Sequence, residues 1–168
     1  YDGTTGIQPI DDVIHKVNKT AYAHHIERLM ILGNFAILAQ VDPLRVDDWF
    51  LGIYADAVEW VQLPNTHGMS QWADGGIVAT KPYVSAAAYI HKMSNYCEGC
   101  KYDKKKRVGD DACPFNSLYW NFLDDKKQYF AKNNRMAMML RLLEKIPPTE
   151  LADLKERAYK IISNPDEY

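Results

Sequence analysis

An all-α fold is predicted on three observations. Apolar residues recur at three-to-four spacing along most of the chain, no stretch alternates apolar and polar as a half-buried strand does, and prolines sit where helices begin. The first helix is read over residues 10–17, from Ile10, Val13, Ile14 and Val17. The second, over 21–41, carries Ile26, Leu29, Met30, Leu32 and Ile37 and is apolar nearly all round after Arg28, the pattern of a buried helix. Asp42-Pro43 ends it and starts a third over 46–61, with Trp49, Phe50, Ile53, Tyr54, Val58 and Trp60. Residues 63–83 lose the period and hold Pro64, Gly68, Gly75, Gly76 and Pro82, so they read as one long irregular loop with room for one short turn; a loop of that length in a compact domain is usually functional or disordered, and Met69, Trp72 and Tyr83 argue against disorder. Helices follow over 84–96, 115–132, 135–146 and 149–162, the last with Thr149 as its N-cap. No internal repeat is found.

The chain has 168 residues, 47% of them hydrophobic, which suits one domain or part of one. Its net charge of −2 gives no global basic field for nucleic acid, and the one local basic run, from Lys101 to Arg107, is either a solvated loop or a phosphate-facing patch. Charges interrupt every apolar stretch, so no membrane span is expected, and there is no signal-peptide pattern. The first residue is Tyr1 rather than Met, as in a fragment or a processed product. Three cysteines, two of them in Cys-x-x-Cys spacing, argue against a secreted disulfide framework and for a reducing compartment, the cytoplasm or an organelle interior.

Those cysteines, Cys97, Cys100 and Cys113, are the residues most suggestive of chemistry. A pair two residues apart can turn both thiolates toward one metal, and a third could close the site from the other side. Three is one fewer than iron–sulfur and all-thiolate zinc sites use, and His91 is a candidate fourth ligand for zinc. Adjacent His24 and His25 would point about 100° apart on a helix, which suits a proton donor better than a shared metal. A hydrogen-bonded core histidine is the competing reading. In the long loop, Asn65, Met69, Ser70, Asp74, Gly75 and Gly76 offer main-chain amides and small side chains to a flat or phosphorylated ligand.

Together these motifs form a familiar series. Tyr22-Ala23-His24-His25-Ile26-Glu27-Arg28-Leu29-Met30, Trp49-Phe50, Glu59-Trp60-Val61, Pro64-Asn65-Thr66, Gly68-Met69-Ser70, Ala73-Asp74-Gly75-Gly76, Thr80-Lys81-Pro82-Tyr83, Tyr89-Ile90 and the three cysteines resemble the iron–sulfur bacterial cryptochromes and photolyases. The resemblance runs in order from Gly3 to about Arg135. It implies that residues 1–168 are the C-terminal portion of a helical FAD-binding domain, with the antenna domain and the upstream half of the FAD domain absent from this chain. It implies FAD as photoreductant, damaged DNA as partner, and light-driven repair of a (6–4)-type lesion, a carbon–carbon lyase activity, or blue-light sensing.

By the same resemblance, His24 and His25 stand near the lesion, Trp49, Tyr83 and Tyr89 belong to the electron-transfer and lesion-pocket set, and Trp49 lies beside the flavin. Asp56, about two turns further along the Trp49 helix, is expected to face the isoalloxazine. Asn65, Met69, Ser70, Asp74, Gly75 and Gly76 line the cofactor loop. Cys97, Cys100 and Cys113 match three of the four cysteines that hold a [4Fe–4S] cluster; the fourth position reads Pro9, which cannot ligate iron. A cluster completed by Asp11 or Asp12, three free thiols, and zinc in place of the cluster all remain open. So does a different class of function: a photolyase-derived, non-catalytic helical module serving as a structural or docking subunit of a larger assembly. A zinc-bound nucleic-acid module is a third reading, from the basic run.

Overall fold

A computed structural model describes residues 2–165. Among them every regular element is helical, and the one strand-like contact is an isolated bridge between Asp103 and Ala112. The all-α expectation therefore holds. The chain divides into two compact units, residues 2–84 and 85–165.

In the first unit, α1 (Gln8–Thr20) has Pro9 in its opening turn, where a missing N–H costs nothing, and buries Pro9, Ile10, Val13, Ile14 and Val17. The Asp11 carboxylate accepts hydrogen bonds from Thr5 N (2.9 Å), Thr5 Oγ1 (2.7 Å) and Gly6 N (2.8 Å), fixing the entry loop. Ala21 takes a left-handed conformation (φ 54°) and closes α1 with its N–H on Val17 O. Such a residue is a common helix stop. The helix expected over 21–41 thus starts late. His24 caps it, its Nδ1 accepting from Ile26 N at 3.2 Å while Glu27 reaches back to His24 N at 2.7 Å. The pair forms a capping box written in histidine and glutamate. The chain then runs into a wide π-helical stretch, π1 (Glu27–Gly33), and on into α2 (Asn34–Leu38).

Helix α3 (Pro43–Ile53) begins as expected, the Asp42 side chain accepting from Leu44 N at 3.0 Å. It does not run on to residue 61. Tyr54 turns extended and is buried against Phe50, with ring centroids 5.2 Å apart at 90°. The chain resumes as α4 (Glu59–Gln62) and a second π-helical stretch, π2 (Leu63–Ser70). The expected loop is therefore helical in its first eight residues and irregular only over 71–83. Pro64 reads as a breaker but sits in the first turn, where proline is welcome. Gly68 is required by proximity: a Cβ there would lie 2.9 Å from Val78 Cγ2.

π1 and π2 pack against each other. They meet at Gly33, where an added Cβ would collide with Ser70 Oγ and lie 2.9 Å from the Arg28 carbonyl oxygen. Gln71 Nε2 seals the crossing by donating to Gly33 O (3.1 Å) and Ser70 Oγ (3.0 Å).

In the second unit, α6 (Pro114–Asp125) is buried nearly all round and is the axis of the unit. Helices α5 (Ala87–Met93), α7 (Lys127–Phe130), α8 (Ala137–Leu143) and α9 (Pro148–Ser163) pack on or beside it, α9 most extensively. α9 buries Leu154, Ala158 and Ile161, a four-then-three spacing. Each of its two large side chains contributes about 1.5–3 kcal/mol on burial. Thr149 is not the cap of α9: the cap position is Pro147, and no side chain bonds the free amides there.

The crossing gives a paired test. Gly33→Ala is expected to cost about 1–3 kcal/mol in urea unfolding through overpacking. Gly52→Ala, in α3 with open space at its Cβ, should instead gain about 0.5–1 kcal/mol.

Candidate functional site

A small cavity of about 50 Å³ lies in the first unit, lined by His25, Arg28, Leu29, Phe50, Val61, Gln62, Asn65 and Thr66. Its polar groups come from the residues at and just before the start of π1 and from α4–π2, and Phe50 of α3 is also in its lining. Asn65 Nδ2 donates to Val61 O (2.8 Å) and Thr66 Oγ1 to Gln62 Oε1 (2.6 Å), so these side chains are held in place.

Arg28 is the most connected residue of the wall. Its Nε donates to Ala23 O (2.8 Å), and one guanidinium nitrogen donates to both oxygens of Asp56 (2.8 and 3.0 Å). Its Cζ lies 4.0 Å from the Tyr54 ring centroid and 5.3 Å from that of Tyr22. Both rings can offer their negative faces to the cation. Burial raises the Tyr54 phenol well above the usual range, so it stays neutral beneath the guanidinium. Trp49 completes an aromatic cluster, 5.5 Å from Phe50 and 6.1 Å from Tyr54. Lys16 Nζ pairs with Glu27 at 2.7 Å. Burial works against the ionised Glu27, yet Lys16 and the His24 amide together hold its carboxyl below the usual range. The His24-His25 segment is therefore clamped from both sides.

A second buried pair was not apparent in the sequence. Asp47 of α3 is buried, and its Oδ2 lies 2.6 Å from His67 Nδ1 of π2, the ring N–H donating. Asp47 Oδ1 has no partner among the described residues. Burial raises the Asp47 carboxyl, and the contact with His67 only partly offsets this. A carboxyl raised on folding lends stability that is complete below the ordinary carboxylate range and is lost as pH rises through its folded value. Asp47→Asn should therefore raise Tm more at pH 8 than at pH 4; an equal shift at both pH values, in paired thermal melts, would contradict that assignment.

Of the residues expected at the lesion, His25 lines the cavity, and of those expected at the cofactor, Asn65 does. Asp56 does not stand on the Trp49 helix: α3 has ended at Ile53, and the Asp56 carboxylate is engaged by Arg28. Ser70 is fully buried against Gly33. Asp74 folds its own loop, accepting from Gly76 N (2.9 Å) and Val78 N (2.8 Å). Gly75 and Gly76 take positive φ (74° and 90°) in that turn, and Trp72 Nε1 closes it on Ala79 O (2.9 Å). Met69 is half-buried, Tyr83 is exposed, and Tyr89 belongs to α5 of the second unit. The missed members, Arg28 and Gln62, carry one faint signal: Arg28 is the only Lys or Arg between Lys19 and Arg45.

Pockets that take drug-sized and larger ligands run to roughly 300–1,000 Å³. The cavity at His25, at about 50 Å³, does not by itself fit FAD.

The cysteines belong to the second unit. Cys97 and Cys100 flank Gly99 (φ 75°) beyond α5, and Cys113 stands at the N-cap position of α6, its N–H donating to Asp103 O. All three are free thiols. Burial raises Cys97, with Cys100 adding to it; burial pushes Cys113 up to about 11, with Cys100 and Cys97 adding to it. The thiols are thus near enough to oppose one another's ionisation. Even so, no three Cys, His, Asp or Glu among the described residues are grouped closely enough to hold a metal ion. The donors as placed do not fit zinc or a cluster. His91 is turned away from that role, its Nε2 2.6 Å from Lys104 Nζ. In the first unit Pro9 is buried in α1, and Asp11 is engaged by Thr5 and Gly6.

The cysteine loop hangs on Asn116. Its Oδ1 accepts from Ala87 N (3.1 Å), and its Nδ2 donates to Lys104 O (3.1 Å) and Lys106 O (2.7 Å). Asn116→Ala should destabilise by roughly 1–3 kcal/mol, since it leaves the buried Ala87 amide unpaired and frees two part-buried carbonyls; a loss under about 0.5 kcal/mol in chemical denaturation would show the loop to be held elsewhere.

No family model matches the chain. Over 158 residues, 94% of its length, it is 48% identical to a (6-4) photolyase of Agrobacterium fabrum, and it spans 31% of that protein. It is also 33% identical over 121 residues to an uncharacterised protein of Acanthamoeba polyphaga mimivirus, covering 70% of this chain and 95% of that one. No helix among the described residues is long and apolar enough to cross a membrane. Nearly half its residues are thus identical to those of a photolyase along almost its whole length, and the likeness covers about a third of that longer protein.

Proposed function

We propose that this chain is the pocket-wall segment of a photolyase-type flavoprotein acting on (6–4) photolesions in DNA. The carrying observation is the 48% identity to a (6-4) photolyase over 94% of the chain. The clamped His24-His25 segment supports it. Arg28 and Glu27 fix this segment through main-chain and capping bonds, which leaves the His25 ring at the cavity edge free to serve a ligand. Because the cavity is too small for flavin, the remaining flavin contacts fall to polypeptide outside these 168 residues, of the sort that makes up the rest of the longer relative. In this reading His25 delivers a proton to the lesion, and His24, held as a cap, positions it.

A second reading is favoured by one observation. The mimivirus protein is matched over 95% of its own length, so a protein consisting of little more than this segment exists. In this second reading the module acts without flavin, as a structural or docking subunit.

The protein as purified, with its native cofactors, separates the two. The photolyase reading expects bound flavin and blue-light conversion of a (6–4)-containing oligonucleotide, read by chromatography. His25→Ala should lower that conversion by about 10²–10⁴-fold while flavin photoreduction persists. Undiminished conversion in the variant would remove the proton-donor role, and protein free of flavin would leave the module reading.

A further inference from the structure

Buried polar side chains in folded proteins are nearly always hydrogen-bonded, because an unpaired one gives up its contact with solvent and gains nothing in return. Among the described residues the exceptions are of two kinds. Asp47 Oδ1, Tyr54 Oη and Gln71 Oε1 are single atoms on side chains that are otherwise engaged: Asp47 with His67, Tyr54 under Arg28, and Gln71 with Gly33 and Ser70. Ser117 Oγ, Asn121 Nδ2 and Asn121 Oδ1 differ, since both of these side chains are left wholly without a partner, and both belong to α6. Residues four apart on a helix share a face, about one turn apart.

The usual outlet for a serine inside a helix is the carbonyl four residues back, and the Ser117 hydroxyl does not take it. Ser117 and Asn121 are fully buried. The same face of α6 continues to Asp124 and Asp125, whose carboxylates pair with Lys155 of α9 at 2.6 and 3.5 Å, so it looks toward α9. The residues that α9 buries, Leu154, Ala158 and Ile161, have no side-chain group to offer a hydroxyl or an amide. The carboxylates nearest along the face are already committed to Lys155.

We infer that Ser117 and Asn121 bind an internal water molecule on the α9-facing side of α6. The occupant must be small enough to be enclosed, since neither residue reaches the surface. It must also donate and accept. The amide nitrogen only donates, the amide oxygen only accepts, and the hydroxyl does either. The nitrogen would repel a cation and the oxygen an anion, whereas water answers both. Three polar atoms fall within the roughly two to four partners that a buried water uses. Such a water fixes the setting of α6 by directed bonds, where apolar contacts with α9 tolerate small slips. It is a feature of the second unit alone and does not rest on the flavin reading.

The test is a pair of isotope-edited NOESY and ROESY spectra of the nitrogen-labelled protein, with solvent water as the probe. The Asn121 side-chain amide protons should give water cross-peaks with the diagonal's sign in NOESY and the opposite sign in ROESY, the signature of a held water. Asn116 is the reference, because its Nδ2 is committed to Lys104 O and Lys106 O. Missing peaks at Asn121, or equal peaks at Asn116, overturn the inference. In Ser117→Ala no hydroxyl remains to relay exchange, and the Asn121 peaks should persist; their loss there assigns them to the serine hydroxyl and overturns the bound water. The urea midpoint of Ser117→Ala should fall, as the hydroxyl forfeits its bond to water. A rise is the result of removing an unpaired buried hydroxyl, and it too overturns the assignment.

Discussion

Two wide helical stretches cross at Gly33 with no room for a side chain between them. Ser70 fills the space a Cβ would take, and Gln71 bonds the Gly33 carbonyl from the far side of the crossing. The register of everything upstream follows from that contact. His25, Arg28 and Leu29 lie at the start of one stretch, and Gln62, Asn65 and Thr66 at the start of the other, so the separation at Gly33 sets how far apart the two walls of the cavity stand. π-type turns are uncommon and tend to occur where function requires an unusual backbone path. Here they widen each helix just enough for the small residues to meet.

Arg28 is the second organising element, and it works through several weak terms at once. A guanidinium can hydrogen-bond in its plane while its faces stack on rings. Arg28 does both, tying the Ala23 carbonyl, Asp56, Tyr54 and Tyr22 together where the chain would otherwise be loose. The break after α3 becomes intelligible in this light. Tyr54 leaves the helix in order to lie under the cation and against Phe50, and Asp56 is brought round to the guanidinium.

Helix identity was legible wherever an apolar stripe does the packing. The stripe of α1 and the buried face of α9 were readable because each packs through evenly spaced side chains. The stretch over 63–70 was not, because its packing depends on an absent side chain at Gly68 and on a proline that marks a helix start as readily as a loop. The break at Tyr54 was hidden for the opposite reason: Tyr54 fits the helical period and departs from it only because Arg28, far off in sequence, lies over its ring. At the candidate site, His25 and Asn65 were visible as motif residues. Asp47 and His67 were not, since only the fold brings an ordinary acid on one helix to an ordinary histidine twenty positions on.

The opposed charges of the two sequence halves bear on how the molecule behaves in the hand. A pI of about 6.2 suggests a protein that should pass an anion or a cation exchanger with little retention near neutral pH. Residues 2–84 carry five Lys and Arg against ten Asp and Glu, a net of −5; residues 85–165 carry fifteen against ten, a net of +5. Retention depends on the patch presented to the resin and not on the sum, so a chain with +5 on one stretch and −5 on another can adhere to both chemistries. Attraction between the unlike charges of separate copies is likewise felt in dilute buffer and weak in physiological salt, where the screening length falls to about 8 Å.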